Sequence, residues 1–182
     1  MGTLIVVYIL LFRGVGGATQ LPTAPLRAAL TTAGFENVAT YINSGNAVLR
    51  SPLKRKQVIE RVAAIVAEKF AFTKAIYAPT LAEWSALIAN NPFPQAAATP
   101  KYLHAALLEK KPPASSINAI QALAKEGEQF AVAGDAAYLH TPHGFGRSKM
   151  AERFDKLIGV GNTARNWNTV LKLQELALAA CS

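Results

Sequence analysis

Cysteine is nearly absent from this chain: one residue in 182, Cys181, sits next to the last position, so no intrachain disulfide can form. Nothing calls for an oxidising compartment, and the cytoplasm is the expected location. The three histidines, His104, His140 and His143, have no second thiol beside them and no His-Glu-x-x-His pattern, so neither a metal nor a cofactor is expected. A membrane-length apolar run is lacking too. Leu4 to Phe12 is far shorter than the roughly 20 residues of a spanning helix and has no basic residue before it, so it reads as a buried strand rather than a signal or anchor. Val6 stands where N-myristoylation of Gly2 would want Ser or Thr, which excludes that anchor. Acidic residues are few, 11 against 19 Lys and Arg, for a formal charge of +8.

What is present describes a folded protein. The chain is 51% hydrophobic and long enough for one substantial core or two small subdomains. Its positive charge is uneven: residues 1–77 hold nine basic and three acidic residues, and residues 78–182 hold ten and eight. Such a surface suits an anionic partner, a nucleotide, phosphorylated metabolite or nucleic acid, and equally serves solubility alone.

Thr3 to Phe12 is uninterrupted and β-branched, as a central strand covered on both faces requires. Pro22 to Ala33 has Leu26, Ala29, Leu30 and Ala33 at helical spacing, with Gly34 as cap. Val38–Asn43 and Ala47–Ser51 flank a turn at Ser44-Gly45-Asn46, Lys54 to Phe70 is amphipathic, and Lys74 to Tyr77 is a short strand. The order β-α-β-β-α-β is that of a ferredoxin-like fold. The second half partly repeats it: strand Tyr102–Leu108, helix Ser116–Lys125, strands Gln129–Ala133 and Ala137–His140 around Gly134-Asp135, and helix Lys149–Ile158. The expected fold is α+β, two ferredoxin-like (βαββαβ-type) subdomains in tandem with antiparallel four-stranded sheets, helices on one face, and a C-terminal helix from about Asn166 to Ala180 packing across both halves. The expected boundaries are 1–77, a helix (Leu81–Ile88) and linker over 78–100, and 101–182. No residue-level repeat is visible between the halves.

Four polar clusters carry the functional expectation. Arg13-Gly14-Val15-Gly16-Gly17 follows the first strand, where consecutive glycines turn backbone N–H groups toward a ligand and Arg13 offers a bidentate fork. It is neither a Walker loop nor Gly-x-Gly-x-x-Gly, and it also reads as a simple turn. Ser44 and Asn46 belong to a hairpin turn and can line a pocket from its tip. Gly144-Phe145-Gly146-Arg147-Ser148-Lys149 places Arg147 and Lys149 around Ser148, an N-cap, at a helix start suited to anions or serving only as a capped helix. Thr163 to Thr169 holds Arg165, Asn166 and Asn168 around Trp167, with Asn166 an N-cap and Trp167 a core anchor.

Leu11 to Gly14, Gly16-Gly17, Ser44 to Asn46, Gly144 to Lys149 and Thr163 to Thr169 together resemble a bacterial family known as domain of unknown function 1697. The resemblance covers nearly the whole chain and implies two ferredoxin-like subdomains but no activity. The family loop, Arg-Gly-Ile-Asn-Val-Gly-Gly-Lys-Asn, is two residues shorter here, and Ala18 and Thr19 replace its Lys-Asn, which removes a cation and an amide. The expected function is binding of an anionic, phosphate-bearing small ligand or nucleotide in a cleft between the halves, lined by Arg13, Gly16-Gly17, Ser148, Lys149 and Arg165. Two alternatives stand beside it. One is a single-stranded nucleic-acid-binding module using an open sheet face. The other is a hydrolase or transferase using His143 or Ser148.

Overall fold

A computed structural model describes residues 4–17 and 19–182. Thr3, Gly2 and Ala18 therefore lie outside the described residues, with the parts of the expectations that fall on them. In order the elements are β1 (Val6–Phe12), α1 (Thr23–Thr32), β2 (Glu36–Thr40), β3 (Asn46–Ser51), α2 (Arg55–Phe70), β4 (Ile76–Tyr77) and α3 (Leu81–Ala89), then β5 (Leu103–Leu108), α4 (Ala114–Gln121), β6 (Gln129–Ala133), β7 (Ala136–His140), α5 (Lys149–Leu157), β8 (Asn162–Asn166) and α6 (Trp167–Ala179). The strands form two four-stranded antiparallel sheets of order β2-β3-β1-β4 and β6-β7-β5-β8. Each is the ferredoxin-like arrangement, with its first strand in the interior.

The chain forms two compact units, residues 1–85 with 172–182, and residues 86–171. Chain order alone put 172–182 with the second half. In the structure the end of the chain is tied to the first unit by hydrogen bonds: Asn37 Nδ2 donates to the carbonyl oxygens of Ala180 and Ser182, each at 3.0 Å, and Arg50 to that of Ser182 at 3.2 Å.

In the first unit Tyr8, Leu10, Phe12, Ala47 and Leu49 turn one sheet face onto Leu26 and Leu30 of α1 and Val58, Val62 and Val66 of α2. Gly34, at φ +88°, ends α1 as expected, its N–H reaching the Thr31 carbonyl while that of Phe35 reaches Leu30. In the second unit Ala106, Leu108, Ala137 and Leu139 pack on Ile120 of α4 and Met150, Ala151 and Phe154 of α5. The opposite faces are buried as well: Val7, Ile9, Leu11 and Val48 in one sheet, Leu103, Ala105, Ala136 and Tyr138 in the other. The inner strands are thus covered on both faces, which is why β1 reads as a continuous apolar run and β5 as one broken only by His104.

Three details differ from the sequence reading. The stretch read as linker carries 3-10 turns over Pro94–Ala98 and Pro100–Tyr102, so β5 starts at Leu103 rather than Tyr102. The hairpin after β2 is not a tight turn at Ser44-Gly45-Asn46: the loop runs over 41–45, and Asn46 is already in β3. Asn162–Asn166 is a strand, β8, paired with β5 along its whole length. Its sequence, Asn-Thr-Ala-Arg-Asn, has no β-branched or aromatic run, and tertiary pairing overrides its weak intrinsic preference.

With β8 in place, the strands of the two units repeat in the same register. Tyr8 stands opposite Leu49 on the third strand and makes an isolated bridge to Thr80, three residues past β4; His104 stands opposite Leu139 and Asn166. Arg13 N–H donates to the Ala75 carbonyl as Glu109 N–H does to that of Gly161, and Phe12 to Gly45 as Leu108 to Asp135. Pro22 and Pro113 precede α1 and α4, and Ser51-Pro52 matches Thr141-Pro142. Thr80 and Asn166 each cap the helix that follows, through Glu83 N–H to Thr80 Oγ1 at 3.3 Å and Asn168 N–H to Asn166 Oδ1 at 3.1 Å.

Candidate functional site

The four clusters pair up within units. In the first, Gly45 lies against the end of β1: the Phe12 N–H donates to its carbonyl at 3.0 Å, and a methyl group on Gly45 would stand 2.7 Å from Phe12 Cβ and 3.1 Å from Val15 Cγ2. That close approach, at φ +78°, requires glycine. Asn46 is buried and spends its amide on the Tyr41 carbonyl and Ser44 Oγ, both at 3.2 Å, so it braces the hairpin. The glycine loop closes on itself through a Gly16–Thr19 bridge, with N–H to carbonyl bonds of 2.8 and 3.0 Å in the two directions. Thr19, one of the two residues replacing the family's Lys-Asn, bonds the Gly16 carbonyl at 3.2 Å. Gly14 at φ +67° and Gly17 at φ +57° let the chain make this turn, and Gly14 and Gly17 stay exposed while Arg13 is half-buried.

In the second unit the loop opening α5 meets β5. The Phe145 and His104 rings lie 4.0 Å apart, centroid to centroid, tilted by 34°, and His104 neighbours Asn166 across the ladder. Gly144 through Lys149 and the end of β8 therefore share the helix-covered side of this sheet. Ser148 is buried and its hydroxyl accepts from the Ala151 N–H at 3.1 Å, the N-cap expected for it. Arg147 and Lys149 are exposed, and methyl groups on Gly144 or Gly146 would meet nothing within 4 Å. Asn166 uses both ends of its amide: Oδ1 caps α6, while Nδ2 donates to the carbonyls of Lys101 at 3.1 Å and Pro100 at 3.3 Å. Asn168 is exposed.

Arg165 departs from the expected convergence. It bonds Thr163 Oγ1 at 2.9 Å, two residues back on the same strand face, and that face is the one turned away from α4 and α5. It also donates to the Ala164 carbonyl at 2.8 Å, and burial lowers its pKa to about 10, so it keeps its charge at neutral pH. The second unit thus places Arg165 on one side of its sheet and the Phe145 loop on the other.

The sequence reading considers His104 only as a metal ligand and gives it no other role. Burial pushes its pKa down to about 4, which keeps the imidazole neutral, and Nδ1 is buried without a hydrogen-bond partner. Its signal was a lone polar residue inside the apolar strand Tyr102–Leu108. His143 is exposed, and His140 Nδ1 pairs with Gln129 Oε1 at 3.2 Å. Among the described residues no group of three or more His, Cys, Asp or Glu is placed to hold a metal ion, and no helix is long and apolar enough to cross a membrane.

Two antiparallel βαββαβ units, each with a glycine-bearing loop beside its first strand, define a tandem ferredoxin-like α+β protein. The chain matches the description "Protein of unknown function (DUF1697)" over residues 5–138 and belongs to that family. Its fold is also that of a conserved bacterial protein, SP0830 of Streptococcus pneumoniae, at 20% identity and a TM-score of 0.71, with 96% of this chain and 99% of the other covered. No curated protein matches the chain.

Proposed function

We propose that this protein binds a phosphate-bearing small ligand or nucleotide at the loop that opens α5 in the second unit. The observation that carries this reading is a glycine loop whose cations stay in solvent: Arg147 and Lys149 are exposed on either side of a capped helix start, and open space surrounds Gly144 and Gly146. N–H groups at a helix start and a flanking guanidinium favour an anion by charge-assisted hydrogen bonds of about 1.5–3 kcal/mol each. Ser148 supports the site from within, as the cap that fixes the first turn. The lone thiol fits a reducing, cytosolic setting.

The geometry supports the two alternatives less. Single-strand binding on a ferredoxin-like sheet uses an open face with aromatic side chains, and here the inner strands of both sheets are largely covered on both faces. Hydrolysis needs a nucleophile beside a base, and the buried Ser148 hydroxyl is held by the Ala151 N–H.

Titration calorimetry with inorganic phosphate and with adenosine monophosphate tests the reading. Wild type should bind, and Arg147→Ala with Lys149→Ala should weaken binding at least tenfold at unchanged melting temperature. An equal loss in Arg13→Ala would join the first unit's cluster to the same function. Absence of binding by either probe, or binding indifferent to the double variant, overturns the proposal.

A further inference from the structure

The internal repeat supplies a reference for the loop over His104. In the first unit three residues separate Ser51 from Arg55, the start of α2; in the second, seven separate the matching Thr141 from Lys149, the start of α5. Both loops begin with a proline, Pro52 and Pro142, and the longer one goes on to carry Gly144 and Gly146, where the shorter one has no glycine. The residue beneath each loop differs in the same sense. Tyr8 fastens the short loop by donating its hydroxyl to the Leu53 carbonyl at 2.9 Å. His104, at the same register, has a ring contact with Phe145 in place of that bond, and its Nδ1 is buried without a partner. A buried polar nitrogen left unpaired is destabilising, whereas the tyrosine at this position in the other unit is satisfied.

We propose that residues 143–147 lie over a ligand subsite floored by His104, and that the imidazole hydrogen-bonds an uncharged polar group of the ligand, a hydroxyl or amide next to its phosphate. The inference rests on the phosphate reading above and deepens it, because it selects a phosphate ester over free phosphate. A neutral imidazole gives no countercharge to phosphate; it offers one donor and one acceptor, which suit a sugar hydroxyl or a base edge. Arg147 and Lys149 hold the charge at the mouth, and His104 reads what is attached to it. The ring of Phe145 covers the imidazole, so the loop lifts for the ligand to reach Nδ1, and the glycines at 144 and 146 give the chain that freedom.

The test compares inorganic phosphate with ribose 5-phosphate on wild type and two variants, His104→Phe and His104→Gln, by titration calorimetry, with circular dichroism and melting temperature confirming the fold. Wild type should bind the ester at least tenfold more tightly than phosphate. His104→Phe should bring the ester down to the phosphate level while changing phosphate affinity less than twofold, and His104→Gln, which keeps a donor and an acceptor, should retain part of the preference. Equal affinity of wild type for both probes, or an ester preference untouched in folded His104→Phe, overturns the subsite while leaving the phosphate reading intact. Failure of both probes to bind wild type overturns both. Amide hydrogen exchange gives a readout free of ligand: Phe145 and Gly146 should exchange at least tenfold faster than Leu53 and Lys54, and equal protection of the two loops would overturn the lifting loop.

Discussion

Tyr8 and His104 occupy matching positions in the two units, each on the helix-covered face of the first strand, each opposite a leucine of the third strand and bridged to a helix-capping residue, Thr80 just past β4 and Asn166 at the end of β8. One carries a hydroxyl bonded to the Leu53 carbonyl and the other an imidazole whose buried Nδ1 has no partner. Since strand register and neighbours are the same, the difference lies in the loop above, short over Tyr8 and glycine-rich over His104. The ligand site proposed above falls in the unit where His104 Nδ1 has no partner.

His104 should make stability depend on pH. Burial lowers its pKa from 6.5 to about 4, so between these values the unfolded chain takes up a proton that the folded one refuses. The contribution is fully present above pH 6.5 and is lost as pH falls toward 4. With allowance for the partial exposure of the ring it amounts to about 2 kcal/mol. Urea unfolding of wild type and His104→Phe from pH 7.5 to 4.5 should show a steeper decline in wild type; parallel curves would count against a shielded imidazole.

Tyr138 should act at the alkaline end. It is fully buried, its hydroxyl donates to the Leu87 carbonyl at 2.5 Å, and burial raises its pKa from 10.0 to about 12. Above pH 10 the unfolded chain loses this proton first, so stability falls as pH rises, by about 2 kcal/mol at pH 12. Tyr138→Phe should remove that slope and cost about 1–3 kcal/mol at neutral pH, because the Leu87 carbonyl loses its donor. Unfolding midpoints at pH 7, 10 and 11.5 would decide it.

Ser148→Ala should cost about 1 kcal/mol by removing the acceptor of the Ala151 N–H, and Ser148→Asp should recover most of it. A chemical role for the hydroxyl would instead appear as lost function in both variants at full stability. Guanidinium unfolding alongside phosphate titration separates the outcomes.

Alanine at three glycines should give a graded series. Gly45 combines φ +78° with a 2.7 Å approach to Phe12 Cβ, so Gly45→Ala should lose about 3 kcal/mol. Gly17, at φ +57° with nothing within 4 Å, should lose only about 1 kcal/mol, the backbone cost alone. Gly146 has neither constraint and should change by less than about 0.5 kcal/mol. Melting temperatures in any other order would contradict the assigned geometry.

Within the sequence itself lay the first six elements and their βαββαβ order, because apolar spacing at periods of two and 3.6 residues is a local property that burial merely completes. The caps at Gly34, Ser148 and Asn166 were legible for the same reason: a cap depends on two or three neighbouring residues. The family was legible too, from five short motifs. The strand Asn162–Asn166 was hidden, since its polar residues pair only because β5 offers a partner edge. The repeat was hidden by unequal loops, which shift the interval between matching residues from Tyr8–His104 to Leu49–Leu139 to Thr80–Asn166, so no fixed period survives. His104 acquired its meaning only when folding brought Phe145 over it, and Arg165 its separation from that loop only when β8 fixed which way its side chain turns. Contacts between residues far apart in the chain carry no local signature; burial, register and the face a side chain takes are decided by the packed structure.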